Sequence, residues 1–213
     1  MNDILLKILA LRPDVTLVAV TKSVGIEETD EVIKAGVRAI GENRIEDSEK
    51  KFPHLLPVEK HFIGQIQSRK IKRIVELFDV IQSVGSIEHL RKIDNEADKQ
   101  QKDIRVLLQF NISGEERKGG FIQNDMARIV KAIPVIHRVE IIGVMGMASQ
   151  TNDEEIVRKQ FRLLKSIRDE LRTTYPAITE LSMGMSDEYK IAIEEGATML
   201  RIGRLLFSDT IKI

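Results

Sequence analysis

The sequence predicts an α/β protein built as a (β/α)₈ barrel, and three observations carry that expectation. Eight short apolar runs alternate with amphipathic stretches of helical period, which implies parallel strand pairing. No low-complexity segment or linker interrupts the alternation, so residues 1–213 are expected to form one domain. The eighth run ends near Ile202, too close to Ile213 for a full eighth helix, so the segment before the first strand is expected to complete the outer helical ring. A doubly wound open sheet is the alternative. Its dinucleotide-binding form lacks support, because no Gly-x-Gly-x-x-Gly turn follows the first strand.

Taken in order, Ile4, Leu5, Ile8 and Leu9 share one helical face, and Pro13 stops that helix. Leu17 to Val20 reads as a buried strand ending at Lys22. Glu27 to Lys34 reads as a helix closed by Gly36. A short strand at Ala39–Gly41 leads into a charged helix ending near Pro53, and His61 to Gln65 makes the third strand. Ile71, Ile74, Val75 and Phe78 mark a helix, Val80 to Val84 a strand, and Ile87 to Lys102 a long charged helix whose polar face is solvated. Ile104 to Phe110 is the fifth strand, and a polar glycine-rich loop follows from Ser113 to Gly120. Met126, Ile129, Val130 and Ile133 mark a helix closed by Pro134, and Val139 to Met145 is the sixth strand. Val157, Phe161, Leu164, Ile167 and Leu171 form a helical stripe. The seventh strand ends at Leu181, a helix runs from Asp187 to Glu195, and Met199 to Ile202 is the eighth strand.

Composition narrows the function classes. Lysine plus arginine equals aspartate plus glutamate at 33 each, which leaves no basic field for nucleic acid or an anionic membrane. With no cysteine, disulfides, thiolate chemistry and cysteine-ligated metals are excluded. The N-terminus does not read as a signal peptide, and the longest apolar stretch, Val139 to Ala148, is too short for a membrane span. A cytoplasmic location is therefore expected. His54, His61, His89 and His137 are scattered without paired spacing, so no metal site is expected, although His61 is expected near the barrel mouth.

Chemistry concentrates at the strand ends. Lys22 closes the first strand, where an apolar surrounding would favour the neutral amine that attacks carbonyls. Phosphate in such barrels commonly binds the loops after strands seven and eight. Those loops read Leu181-Ser182-Met183-Gly184-Met185-Ser186 and Leu200-Arg201-Ile202-Gly203-Arg204. They supply hydroxyls before a helix N-terminus, a guanidinium at a strand tip and a glycine that admits close backbone approach. Together they describe a ligand with an aldehyde and a phosphate. Met145, Met147, Met183 and Met185 are expected to fill barrel layers.

Five stretches make this more specific: Ala19-Val20-Thr21-Lys22, Gly41-Glu42-Asn43, His61-Phe62-Ile63-Gly64 with Gln67 and Lys70, Leu181 to Ser186, and Arg201-Ile202-Gly203. In these the chain resembles the pyridoxal phosphate-binding homeostasis proteins, single-barrel relatives of the alanine racemase N-terminal domain. The resemblance runs from residue 17 to 207, with departures at Arg44 to Asp47 and Gln65-Ile66. It implies pyridoxal 5′-phosphate held by a Lys22 Schiff base. Ser182, Ser186 and the Gly203 backbone would hold the phosphate, Arg201 would face the pyridine nitrogen, and Asn43 would sit near the ring. Lys118 matches a lysine common in the family. An arginine at the pyridine nitrogen leaves it unprotonated and blunts its ability to absorb carbanion charge.

The racemases add a second base, a tyrosine, from another domain, and no such domain is expected here. Tyr175 and Tyr189, the only tyrosines, fall in helix-associated positions. The expectation is a monomeric protein that stores, buffers or delivers the cofactor to pyridoxal phosphate-dependent apo-enzymes, with no catalytic residue. A weak amino-acid racemase and a lysine Schiff-base aldolase are the alternatives.

Overall fold

A computed structural model describes residues 2–207. The chain runs α1 (Asn2–Leu11), β1 (Thr16–Val20), α2 (Ile26–Lys34), β2 (Ala39–Glu42), α3 (Ile45–Lys51), β3 (Glu59–Phe62), α4 (Ile71–Leu77) and β4 (Val80–Val84). It continues α5 (Ile87–Lys99), β5 (Ile104–Phe110), α6 (Met126–Ala132), β6 (Val139–Gly146), α7 (Glu154–Thr174), β7 (Glu180–Ser182), α8 (Tyr189–Glu194) and β8 (Met199–Ile202). All eight strands pair in parallel with their sequence neighbours. The first and last close the ring, with Thr16 opposite Met199 and Ala19 opposite Ile202. The barrel predicted from the alternation is the observed fold.

The apolar side chains form two separate bodies. A large shell fills the space between strands and helices, with Phe62, Phe78, Phe161 and Leu181 among its buried members. A small cluster of Val80, Leu107, Met145 and Met199 fills the barrel lumen. Because successive strand residues face opposite sides, each strand feeds both bodies. Ile8 of α1 is fully buried in the shell, which packs α1 onto the barrel wall. The side chains of Leu5 and Leu9, expected on the same face, lie outside those described.

Helix ends follow local chemistry. Ser86 caps α5 by accepting from the His89 N–H at 3.1 Å, and Asp153 caps α7 by accepting from Glu155 and Ile156. α5 stops at Lys99 rather than Lys102. The Lys102 ammonium instead donates to the Val75, Glu76 and Phe78 carbonyls at 2.7–3.2 Å, satisfying acceptors at the end of α4.

Three further expectations shift. β3 covers Glu59–Phe62, not His61 to Gln65. Beyond it the chain bends across the β2 end, so close that a Cβ on Gly64 would lie 2.3 Å from the Asn43 carbonyl oxygen. β7 runs one residue further than expected, through Ser182. α8 begins at Tyr189, not Asp187, because residues 186–188 form turns with the Glu188 N–H donating to Met185. The β7–α8 loop therefore delivers Ser186 ahead of the helix, not on its first turn.

Candidate functional site

The C-terminal ends of the strands form the mouth, and register places the expected residues around it. Val18 pairs with Arg201, and Ala19 with Ile202. Strand alternation then sets Val18 and Val20 on the lumen side of β1, and Lys22 follows two residues on, in the turn that leaves the strand. A Cβ on Gly203 would lie 3.2 Å from the Val20 carbonyl oxygen, so β8 and β1 run in close contact where Lys22 emerges. Lys22 and Gly203 thus leave neighbouring strands at the same end of the barrel, and Lys22 is exposed there.

The strand end that carries Lys22 is held from outside. The Lys51 ammonium, from α3, donates to the Thr21 carbonyl and to Glu42 Oε1, both at 2.7 Å. The Thr21 hydroxyl donates to the same carboxylate oxygen at 2.6 Å. All three residues are buried, and Glu42 Oε2 has no partner among the described residues. This clamp immobilises the residue before Lys22 between the barrel wall and α3.

Below the mouth, polar side chains cross the lumen. Arg201 Nη1 donates to Ser182 Oγ at 2.6 Å and Nη2 to the Gly146 carbonyl at 2.9 Å. Ser182 Oγ donates to Gln82 Oε1 at 2.6 Å, a contact between the non-adjacent strands β7 and β4. Gln82 Nε2 bonds His61 Nδ1 at 2.7 Å, and His61 Nε2 bonds Glu59. Arg105 completes the row from the lower rim, 2.6 Å from Glu59. Burial pushes the Arg201 guanidinium down to about 10, so it stays charged at neutral pH. The hydrogen bond from His61, reinforced by Arg105, holds Glu59 at about 2.

Ser182, expected on the phosphate, is engaged here by other side chains. Its single proton goes to Gln82, its oxygen accepts from Arg201, and the residue is 0% exposed. Ser186 is half-buried, and its hydroxyl accepts from the Leu205 N–H at 3.4 Å, tying the β7 loop to the β8 loop. Gly184 makes that loop possible: its φ is +91°, and a Cβ there would meet the Ala192 Cβ at 2.4 Å. Arg204 pairs with Asp187 across the same loops. Glu188 lies near Arg201, and burial pushes its carboxyl upward while the guanidinium pulls it down.

Two clefts of about 630 and 660 Å³ open beside the mouth and share Lys118 and Met147. Lys118 lies between them, donating to the Ala148 carbonyl at 2.6 Å and pairing with Glu115 at 2.7 Å. The first cleft also exposes a wall at Ser83, whose buried hydroxyl has no partner among the described residues. Asn43 is exposed just past the end of β2, in a third cleft with Gln67 and Lys70. The expected residues therefore flank β1 on both sides. Gly203, Ser186 and Arg201 lie on its β8–β7 side with Ser182 beneath them, and Asn43 follows β2, the strand paired with β1 on its other side.

His61 lies inside the lumen, not at the mouth. Met145 fills the lumen and Met147 packs against it, but Met183 belongs to the shell and Met185 is exposed. Among the described residues no group of three or more histidines and carboxylates is placed to hold a metal, and no helix is long and apolar enough to cross a membrane. Sequence reasoning missed Gln82, Glu59 and the Glu42–Lys51 pair. The available signal was polar residues at lumen-facing positions in otherwise apolar strands.

Comparison with known proteins agrees with this fold. The family described as the alanine racemase N-terminal domain matches residues 5–210. A pyridoxal phosphate homeostasis protein of Aquifex aeolicus is 36% identical over 91% of this chain and 86% of its own. One from Synechocystis is 32% identical over 95% of this chain and 94% of its own. The structure of PipY from Synechococcus elongatus with pyridoxal phosphate bound superposes with a TM-score of 0.88, at 30% identity over 97% of this chain and 99% of that one. An alanine racemase of Clostridium difficile shares the fold, with a TM-score of 0.81 at 17% identity over 54% of its chain. Matched along nearly its whole length, the chain belongs to the family of the alanine racemase N-terminal domain, and within it to the pyridoxal phosphate homeostasis proteins.

Proposed function

We propose that the protein binds pyridoxal 5′-phosphate at the barrel mouth and acts in the homeostasis of that cofactor, carrying it on Lys22 without turning over a substrate. The observation that carries the reading is that Lys22 and Gly203 follow the paired ends of β1 and β8, above a buried guanidinium. The names of the relatives and the ligand of the PipY structure support it.

The residues present fit the group. When bound, the cofactor supplies an aldehyde that condenses with a primary amine and a phosphate that needs hydrogen-bond donors. Lys22 is the amine. Ser186 keeps its hydroxyl proton for the phosphate, since its oxygen is the atom that accepts from Leu205. The Gly203 backbone lies beside it, with no side chain to obstruct approach. Arg201, held by Ser182 and Gly146, presents a fixed charge below the ring. Asn43 takes a peripheral place at the β2 end.

The surroundings favour carrying over catalysis. Racemisation needs acid–base groups on both faces of the substrate carbon. The Tyr175 hydroxyl donates to the Val130 carbonyl at 2.9 Å, and Tyr189 is buried in the shell, so neither serves the mouth. An arginine under the pyridine nitrogen also keeps that nitrogen from acting as an acid. The protein would work as a cytoplasmic monomer that hands the cofactor to apo-enzymes.

Borohydride reduction of the loaded protein, followed by peptide mass spectrometry, tests the reading. The adduct is expected on Lys22 and absent in Lys22→Ala. An adduct confined to another lysine overturns it. Enantiopure alanine incubated with loaded protein is expected to keep its optical purity.

A further inference from the structure

The row of side chains across the lumen has one property that no single contact shows. Arg201 at its upper end can only donate hydrogen bonds, and the Glu59 carboxylate at its lower end can only accept them. Three groups lie between, each able to do both: the Ser182 hydroxyl, the Gln82 carboxamide and the His61 ring. With a donor-only end and an acceptor-only end, a neutral ring allows one arrangement, in which every proton in the row points the same way. Ser182 accepts from Arg201 and gives its proton to Gln82. The Gln82 amide gives to a bare His61 Nδ1, and the ring proton sits on Nε2 facing Glu59. For that neutral ring the amide orientation and the tautomer follow from the two ends.

We propose that His61 is a positioning residue for Arg201: as the neutral Nε2–H tautomer it fixes Gln82 and Ser182 in the one direction that leaves the Ser182 oxygen free to hold the guanidinium. His61 and Arg201 do not touch, and the effect passes through two intervening side chains. A reversed Gln82 would turn its amide toward Ser182 and its carbonyl toward the ring. That arrangement requires a proton on Nδ1 and makes the amide compete with Arg201 for the serine oxygen. Arg105 fixes the lower end. Together with His61 it holds Glu59 ionised, and an ionised Glu59 takes the Nε2 proton, so reversal of Gln82 needs a second proton on a ring that is 0% exposed.

The inference rests on the proposed cofactor site for its consequence, not for its geometry, and two measurements separate the two. Nitrogen-15 spectra of the apo protein labelled at histidine are expected to show His61 with Nδ1 unprotonated and Nε2 protonated at neutral pH. A proton on Nδ1 overturns the proposal, whether or not any cofactor binds. The second measurement is a double-mutant cycle on pyridoxal phosphate affinity, read by absorbance. Ser182→Ala and His61→Phe are each expected to weaken binding about tenfold, the scale of one buried hydrogen bond to a charged group. The double variant is expected to be no weaker than either single one, because both break the same row. His61→Gln keeps one acceptor and one donor and is expected within about threefold of the parent. Should the phenylalanine variant not fold, a loss in His61→Gln as large as that in Ser182→Ala overturns the proposal. Losses that multiply to about a hundredfold in the double variant overturn the proposal. A parent protein that takes up no pyridoxal phosphate overturns the functional reading instead, and leaves the nitrogen spectra to decide the inference.

Discussion

Gly184 and Glu59 show how single residues set the limits of this site. At Gly184 the backbone has φ +91°, and an added methyl would lie 2.4 Å from Ala192 and 2.9 Å from Leu200. Gly184→Ala is therefore expected to cost about 2–4 kcal/mol, combining backbone strain with overpacking, and urea denaturation would measure it. Glu59 acts on acid stability. Its carboxyl falls from 4.5 to about 2 on folding, chiefly through the His61 hydrogen bond. A depressed folded value means stability fully present above pH 4.5 and lost as pH falls from there toward 2. The parent should lose more stability than Glu59→Gln across that window, and thermal melts at stepped pH would show it. The positions of Lys22 just past β1 and of Arg201 within β8 were legible because each charge follows a short apolar run. The role of Ser182 was not. Both serines of the β7 loop carry the same hydroxyl, and only the end of β7 shows that Ser182 points into the lumen while Ser186 stands in the loop.

Among elements, the junction of α3 with the ends of β1 and β2 is the most exacting. Glu42 is fully buried and has Lys51 and Thr21 as its side-chain partners. Lys51→Met removes the cation and leaves a buried carboxylate uncompensated, expected to destabilise by about 3–5 kcal/mol. Glu42→Gln combined with Lys51→Met should recover part of that loss, since the stranded charge goes with its partner. Chemical denaturation of the three variants would test this. The strand and helix series was readable because periodicity reports which faces are buried, and β4, β5 and β8 matched residue for residue. Ends were less readable where a distant partner decides them. α5 yields Lys102 to the carbonyls of α4, and the chain leaves β3 early to cross the Asn43 backbone. Neither partner is near in sequence.

For the molecule as a whole, ligand binding and folding should be linked. Saturation at one hundred times the dissociation constant adds about 2.7 kcal/mol to the folded state, raising the melting temperature by roughly 5–10 °C in a chain of this size. Differential scanning fluorimetry with pyridoxal phosphate should show that shift in the parent and little of it in Lys22→Ala. The global fold was readable because eight alternating units leave few ways to hide their apolar faces. The lumen row was not, because it joins β3, β4, β7 and β8, and no local pattern records which strands face one another across a ring.

Ring closure itself has a consequence for biosynthesis. β1, which leads into the amine, is made well before β8, which carries the guanidinium and leads into the glycine. On the proposed site, a ribosome-bound nascent chain would not capture the vitamin until β8 had emerged and zipped against β1. The captured molecule would then rivet together the two strands that met latest, so the youngest joint of the barrel would be the one most strengthened by its cargo.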